Sequence, residues 1–208
     1  NNDIERKFFK DDFSVDSSDN YPVSNGTVSV DTANKKLSIS DIKATMSQTV
    51  VRCSKLPKGV AGKISFRVII DPSWVSSSFI YLNLDKEGYS LFRLVYNKTT
   101  GLATVQILEN GIYKGSYFAF TGDDLIEITI GADGMCSTYL NGNLTHTTSA
   151  PNALVDATWR LVAYQSGTVA GISIGIKDLT FTPTESYSDD FTTDAVSGSV
   201  TITLPAVV

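Results

Sequence analysis

The stretch DDLIEITIGADGMCSTYLNG, residues 123–142, decides the fold. Ile126, Ile128 and Ile130 alternate with Glu127 and Thr129, a period of two that gives one apolar and one polar face. Cys136 shares a face with Leu140 in the run that follows. GADG (131–134) and NGN (141–143) each contain residues that tolerate positive φ. The stretch therefore reads strand, turn, strand, turn, as in an antiparallel sheet with one wet face.

The same pattern extends in both directions. KLSISDI (36–42) places Leu37, Ile39 and Asp41 on one face and Ser38, Ser40 and Ile42 on the other. GKISFRVII (62–70) sets Ile64, Phe66, Val68 and Ile70 against Ser65, Arg67 and Ile69. FIYLNLD (79–85) sets Ile80, Leu82 and Leu84 against Phe79, Tyr81 and Asn83. GISIGIKDLTF (171–181) repeats the device with Ile172, Ile174 and Ile176. Turn signals fall between the runs, at DKEG (85–88), NKTTG (97–101) and ENG (109–111). No 3.6-residue period lasts beyond two turns, so the expected fold is all-β, a two-sheet antiparallel sandwich or jelly roll.

A chain of 208 residues suits one large sandwich domain, and at that size a core forms without staples. The net charge is −5, with lysines and arginines scattered singly. Without a basic stripe or patch, neither nucleic acid nor an anionic membrane surface is an expected partner. No apolar run approaches the roughly 20 residues that span a bilayer. NNDIERKFFKDDF (1–13) lacks the apolar core of a signal peptide. Cys53 and Cys136 both read as inward-facing; they are either a disulfide pair or two separate buried thiols.

The opening DDF (11–13), NGTVSV (25–30), EGYSLFRLVYN (87–97), DDLIEITIGADGMCSTYLNG (123–142) and the closing ISIGIKDLTF (172–181) together resemble the concanavalin A-like, or laminin G-like, sandwich. STYLNGNL (137–144) is the most specific piece. The resemblance covers residues 11–182 and implies two curved antiparallel sheets, one of them concave. Lectins, carbohydrate-binding modules, adhesion domains and some polysaccharide-cleaving enzymes use that fold. Residues 1–10 then form a leader segment, 11–184 the sandwich and 185–208 a C-terminal extension. Within the extension, DDFTTDAVSGSVTI (189–202) repeats the opening phrase DDFSVD with its following strand. Either a second similar module begins there, as in a tandem repeat, or the match is chance in a β-rich sequence. A lone strand at 196–203 would need an exposed edge to pair with, in its own chain or in a second copy.

The enzymes of this sandwich carry Glu-x-Asp-x-x-Glu on a strand, or a Gln-x-His strand with Arg and Tyr. Neither motif is present. The acidic runs DKE (85–87) and DD (123–124) read as turns, and the single histidine, His146, reads as a surface strand residue. Two cysteines and one histidine do not make a zinc site of the usual kind. Calcium needs carboxylate and carbonyl oxygens, and the resemblance implies a structural calcium where the first segment meets the last strand. Asp11 or Asp12 and Asp178 occupy those places.

Sugar recognition calls for flat aromatic faces beside planar hydrogen-bonding groups. Phe79, Tyr81 and Asn83 share one strand face; Tyr89 and Arg93 face outward on the next, with Phe92 and Leu94 inward. Gln106 points outward between Val105 and Ile107. Trp74, in DPSWVSSS (71–78), is either a platform at the rim or a lid over the core, whereas Trp159 in ATWRLVAY reads as core. Outward tyrosines also serve as ordinary cross-strand pairs. Asn25, Asn97 and Asn143 head glycosylation sequons that matter only if the source glycosylates.

These residues lead to one expectation: a non-catalytic carbohydrate-binding or adhesion module of a larger extracellular, cell-surface or virion-surface protein, with a glycan as partner. Two other classes compete. A sandwich lyase or glycosidase would gather carboxylates, or His146 with Tyr and Arg, in one groove. A structural module of a fibre would trade its tail strand between chains.

Overall fold

The structure is a computed structural model that describes residues 8–42, 47–70, 79–86, 89–151, 158–166 and 172–184, with the backbone alone at 85–86 and 89–90. Its strands follow in chain order. The first six are β1 (Phe9–Asp11), β2 (Val23–Ser24), β3 (Thr27–Asp31), β4 (Lys36–Ser40), β5 (Thr49–Cys53) and β6 (Gly62–Ile70). Next come β7 (Phe79–Lys86), β8 (Tyr89–Asn97), β9 (Leu102–Glu109), β10 (Ile112–Lys114) and β11 (Phe118–Ala119). The last five are β12 (Asp123–Ile130), β13 (Cys136–Leu140), β14 (Asn143–Thr147), β15 (Trp159–Gln165) and β16 (Ile174–Pro183). A short 3-10 turn spans Ser18–Asn20.

Two antiparallel sheets form a sandwich. The first runs β14-β13-β12-β6-β16-β4-β3, with β1 also on β16; the second runs β10-β9-β8-β7-β15-β5-β2, with β11 also on β9. The alternating residues meet between them: Phe66, Ile126 and Ile128 of the first sheet close around Leu82, Leu84, Phe92, Leu94 and Val105 of the second. Each fully buried side chain of this size stabilises the fold by about 1.5–3 kcal/mol. Trp159 is also core, its ring 6.4 Å from Phe92 and its Nε1 donating to the Pro57 carbonyl at 2.9 Å. Cys53 and Cys136 are both buried, one in each sheet, and no disulfide joins them.

Local chemistry sets the register. Asn110–Gly111 and Asn141–Gly142 both carry positive φ (52° and 75°, 51° and 76°) and close the hairpins β9–β10 and β13–β14. These are the dihedral signs of a type I′ turn, whose twist matches that of the strands it joins. Asn141 also latches its turn to β12, its Oδ1 accepting from the Leu125 N–H at 2.8 Å and its Nδ2 donating to Asp124.

A bulge in β16 sets the facing of its second half. Lys177 pairs with Arg67 but Thr180 pairs with Ser65, so one residue is extra. Asp178 takes it up at φ 52°, a conformation that Asp tolerates better than most residues. Strict alternation after Ile172, Ile174 and Ile176 would have buried Asp178. With the bulge, Leu179 and Phe181 are buried instead and Asp178 is exposed.

Three expectations need correction. In KLSISDI the alternation ends at Ser40: Asp41 turns at φ 57° into solvent, and Ile42 joins the core at 3% exposure. Asp123 and Asp124 are not in a turn but open β12, opposite Ile69 and Val68 of β6. The first strand begins at Phe9, inside the stretch assigned to the leader. The repeated phrase at 189–202 and the tail strand at 196–203 lie outside the described residues.

Candidate functional site

The outer face of the second sheet holds an aromatic and polar cluster. Its rows follow from register. Thr104, Val95, Tyr81 and Tyr164 lie side by side on β9, β8, β7 and β15; Gln106, Arg93, Asn83 and Val162 form the neighbouring row. The inward neighbours of these residues are buried in the core and apolar apart from Gln165, so the pleat leaves these residues no other side to occupy.

Tyr81 is the centre of this face. Its ring stacks on Tyr164 at a centroid distance of 4.6 Å and 12° between planes. Phe79, two residues back on the same strand, stacks against it at 6.1 Å. The guanidinium of Arg93 lies diagonally across, 5.3 Å from the Tyr81 ring centre and 3.5 Å from that of Tyr113 on β10. Arg93 Nη2 donates to Gln106 Oε1 at 3.3 Å. Burial raises the Tyr81 pKa above the usual phenol range; nearby Tyr164 and Tyr117 add to the rise and the Arg93 charge opposes it. The phenol therefore stays neutral and able to donate at physiological pH.

Two polar atoms of the cluster lack partners. Asn83 is only 5% exposed, and its Oδ1 is buried without a hydrogen bond. The Nε of Arg93, on the residue directly opposite, is likewise buried and unsatisfied. An unmade buried hydrogen bond costs about 1–3 kcal/mol, so two adjacent ones are a notable expense for a sheet surface.

The structure brings Phe79, Tyr81, Asn83, Arg93 and Gln106 onto one face. The backbone of Tyr89 starts β8, and Trp74 lies outside the described residues. Sequence reasoning overlooked Tyr164 and Tyr113. The signal for Tyr164 was legible, because an inward Trp159 and outward Arg160 make every even position of β15 outward. Tyr113 is set by the Asn110–Gly111 turn, which folds β10 back beside β9.

A second cluster joins the edges of the two sheets. Glu109, 3% exposed at the end of β9, accepts from the Ser149 N–H and hydroxyl, both at 2.5 Å. Its other oxygen lies 3.0 Å from Lys114 Nζ and 3.0 Å from His146 Nε2. Hydrogen bonds from Ser149, then those of Lys114 and His146, hold the carboxyl far below the usual carboxylate range. His146 is thus no free surface residue: its ring is half-buried against a carboxylate. The order is also wrong for a nucleophilic triad, since the serine hydroxyl donates to the carboxylate and not to the imidazole.

At the first-segment site, Asp11 and Asp178 do come near each other, because Asp11 pairs with Leu179 in the β1–β16 ladder. Asp11 spends Oδ1 on the Phe13 N–H at 2.9 Å and Oδ2 on the Tyr21 hydroxyl at 2.8 Å. Hydrogen bonds from the Ser14 hydroxyl and then its N–H lower the Asp12 pKa. Among the described residues, no three His, Cys, Asp or Glu side chains gather in a way that would hold a metal ion.

No family model and no curated protein matches this sequence. Solved structures are similar in fold. The botulinum neurotoxin serotype D binding domain is 17% identical over 79% of this chain and 44% of its own, with a TM-score of 0.52. The serotype D ligand binding domain in complex with N-acetylneuraminic acid is 18% identical over 79% and 43%, also at 0.52. The receptor binding domain of the C/D mosaic serotype is 17% identical over 78% and 43%, at 0.51. This chain therefore spans less than half the length of these three structures, and the likeness is one of fold.

Proposed function

We propose that this sandwich is a non-catalytic glycan-binding module of the concanavalin A-like kind, part of a larger extracellular, cell-surface or virion-surface protein that adheres through it. The observation that carries the reading is the Tyr81–Tyr164 stack, flanked by Arg93 and Gln106 and by an Asn83 oxygen without a partner. The partly exposed Tyr81 ring, backed by buried Tyr164, offers a flat apolar edge to the C–H face of a pyranose, while amide and guanidinium groups fix the directions of its hydroxyls. A ligand hydroxyl that donates to Asn83 Oδ1 removes a standing cost of the free protein. The fold also occurs in toxin binding domains, one of them in complex with N-acetylneuraminic acid, which supports a recognition role without assigning a ligand.

The test is a glycan array on the intact chain, repeated with Tyr81→Ala. Selective binding that the variant loses supports the reading. A well-folded chain that binds no glycan sinks it and leaves the fibre module as the better account.

A further inference from the structure

Resting on the glycan-binding reading of this face, we infer that its ligand carries a carboxylate and that Arg93 is the seat for it. Two cations of the first sheet have acidic partners, Lys63 with Glu127 at 2.8 Å and Arg67 with Asp123 at 2.6 Å, whereas Lys10, Lys36 and Lys177 of that sheet have none within ion-pair distance among the described residues. On the second sheet's edge Lys114 pairs with Glu109. Arg93, half-buried in the middle of a sheet, has no carboxylate of a described residue within ion-pair distance, and its Nε is buried without an acceptor.

Its side-chain contacts among the described residues are neutral: the ring of Tyr113 on one side, Tyr81 at the diagonal, and the amide oxygen of Gln106. Aromatic faces hold a guanidinium in place but neutralise little of its charge. A planar fork carries five N–H donors, and here one is spent on Gln106 while the buried Nε–H has no acceptor. A carboxylate matches that fork in shape and charge, which a sugar hydroxyl does not. The unpartnered Oδ1 of Asn83, opposite in register, then accepts from a hydroxyl of the same acidic sugar. The chain's net charge of −5 repels anions in general, so binding an acidic glycan requires a local positive site of this kind.

The carboxylate has two common sources, a sialic acid or a hexuronic acid. Calorimetric titration of the intact chain with 3′-sialyllactose against lactose, and with trigalacturonate against its methyl ester, separates them. We expect at least one acid to bind about tenfold or more tightly than its neutral counterpart at low salt, with the gap shrinking as salt rises. Arg93→Gln should erase the gap, weakening the acid about tenfold more than the neutral sugar. Arg93→Lys should restore part of it, and Lys58→Gln, an equal charge change at an exposed position, should leave it intact. Equal binding of acid and neutral sugar, lost in Tyr81→Ala, would overturn the carboxylate inference and keep the glycan-binding face. Failure of the folded chain to bind any of the four sugars would overturn the carboxylate inference, and the glycan array alone would then decide the glycan-binding reading. Should Arg93→Gln fail to fold, the salt dependence and Arg93→Lys decide.

Discussion

Glu109 and His146 sit on different sheets and meet at 3.0 Å, so one carboxylate links the edge of the second sheet to the edge of the first. Ser149, just beyond β14, adds two hydrogen bonds to the same carboxylate, and Lys114 on β10 closes the cluster. The pKa of Glu109 is depressed in the folded state, so its contribution is fully present above the unfolded value near 4.5. It is lost as the pH falls from there through the lower folded value. Thermal denaturation should therefore show the melting temperature falling below about pH 4.5 in the native chain and falling less steeply in Glu109→Gln. At pH 7 the variant should melt several degrees lower, because a buried cluster loses its one anion. Parallel acid limbs for the two proteins would refute the assignment.

Tyr81→Ala separates recognition from packing. The Tyr81 ring is half-exposed and its stacking on Tyr164 is worth about 0.5–1.5 kcal/mol, so the melting temperature should drop by only a few degrees. Glycan affinity should fall about tenfold or more, read by the same calorimetry. A collapse of stability with unchanged binding would mark the stack as an ordinary cross-strand pair.

Asp124 is a structural carboxylate, fully buried. It accepts from the Thr121 N–H and hydroxyl, the Gly122 N–H and Asn141 Nδ2. Asp124→Ala leaves several of these donors without acceptors at the start of β12 and unlatches the Asn141–Gly142 turn. Urea denaturation should show a loss of about 2–4 kcal/mol. A loss under 1 kcal/mol would mean that water takes over the donors.

Chelation tests the calcium expectation. Asp11 already accepts from the Phe13 N–H and the Tyr21 hydroxyl, and with Asp12 and Asp178 a cation that takes six to eight oxygens would draw most of them from carbonyls and water. EDTA should leave the melting temperature unchanged. A drop that added calcium reverses, and that Asp178→Asn abolishes, would restore the site.

Strand facing was legible from the sequence wherever apolar and polar residues alternate, because a period of two leaves a half-buried strand no second solution. Ile64 to Ile70, Ile80 to Leu84 and Ile126 to Ile130 all obey it, and the Asn-Gly turns announced their hairpins through their tolerance of positive φ. The outward set of Phe79, Tyr81, Asn83, Arg93 and Gln106 came from the same rule. Where the backbone departs from alternation the rule fails. Asp41 and Asp178 both adopt positive φ, and each reverses the facing of the residues after it.

What tertiary structure alone decided are the meetings between distant segments. Strand pairing set Tyr164 against Tyr81 and brought Tyr113 within reach of Arg93, residues far apart in the chain or separated by a strand. Closure of the sandwich carried Glu109 to His146. Periodicity assigns each side chain to a face, but which strands are neighbours depends on loops and on non-local packing that no local pattern encodes.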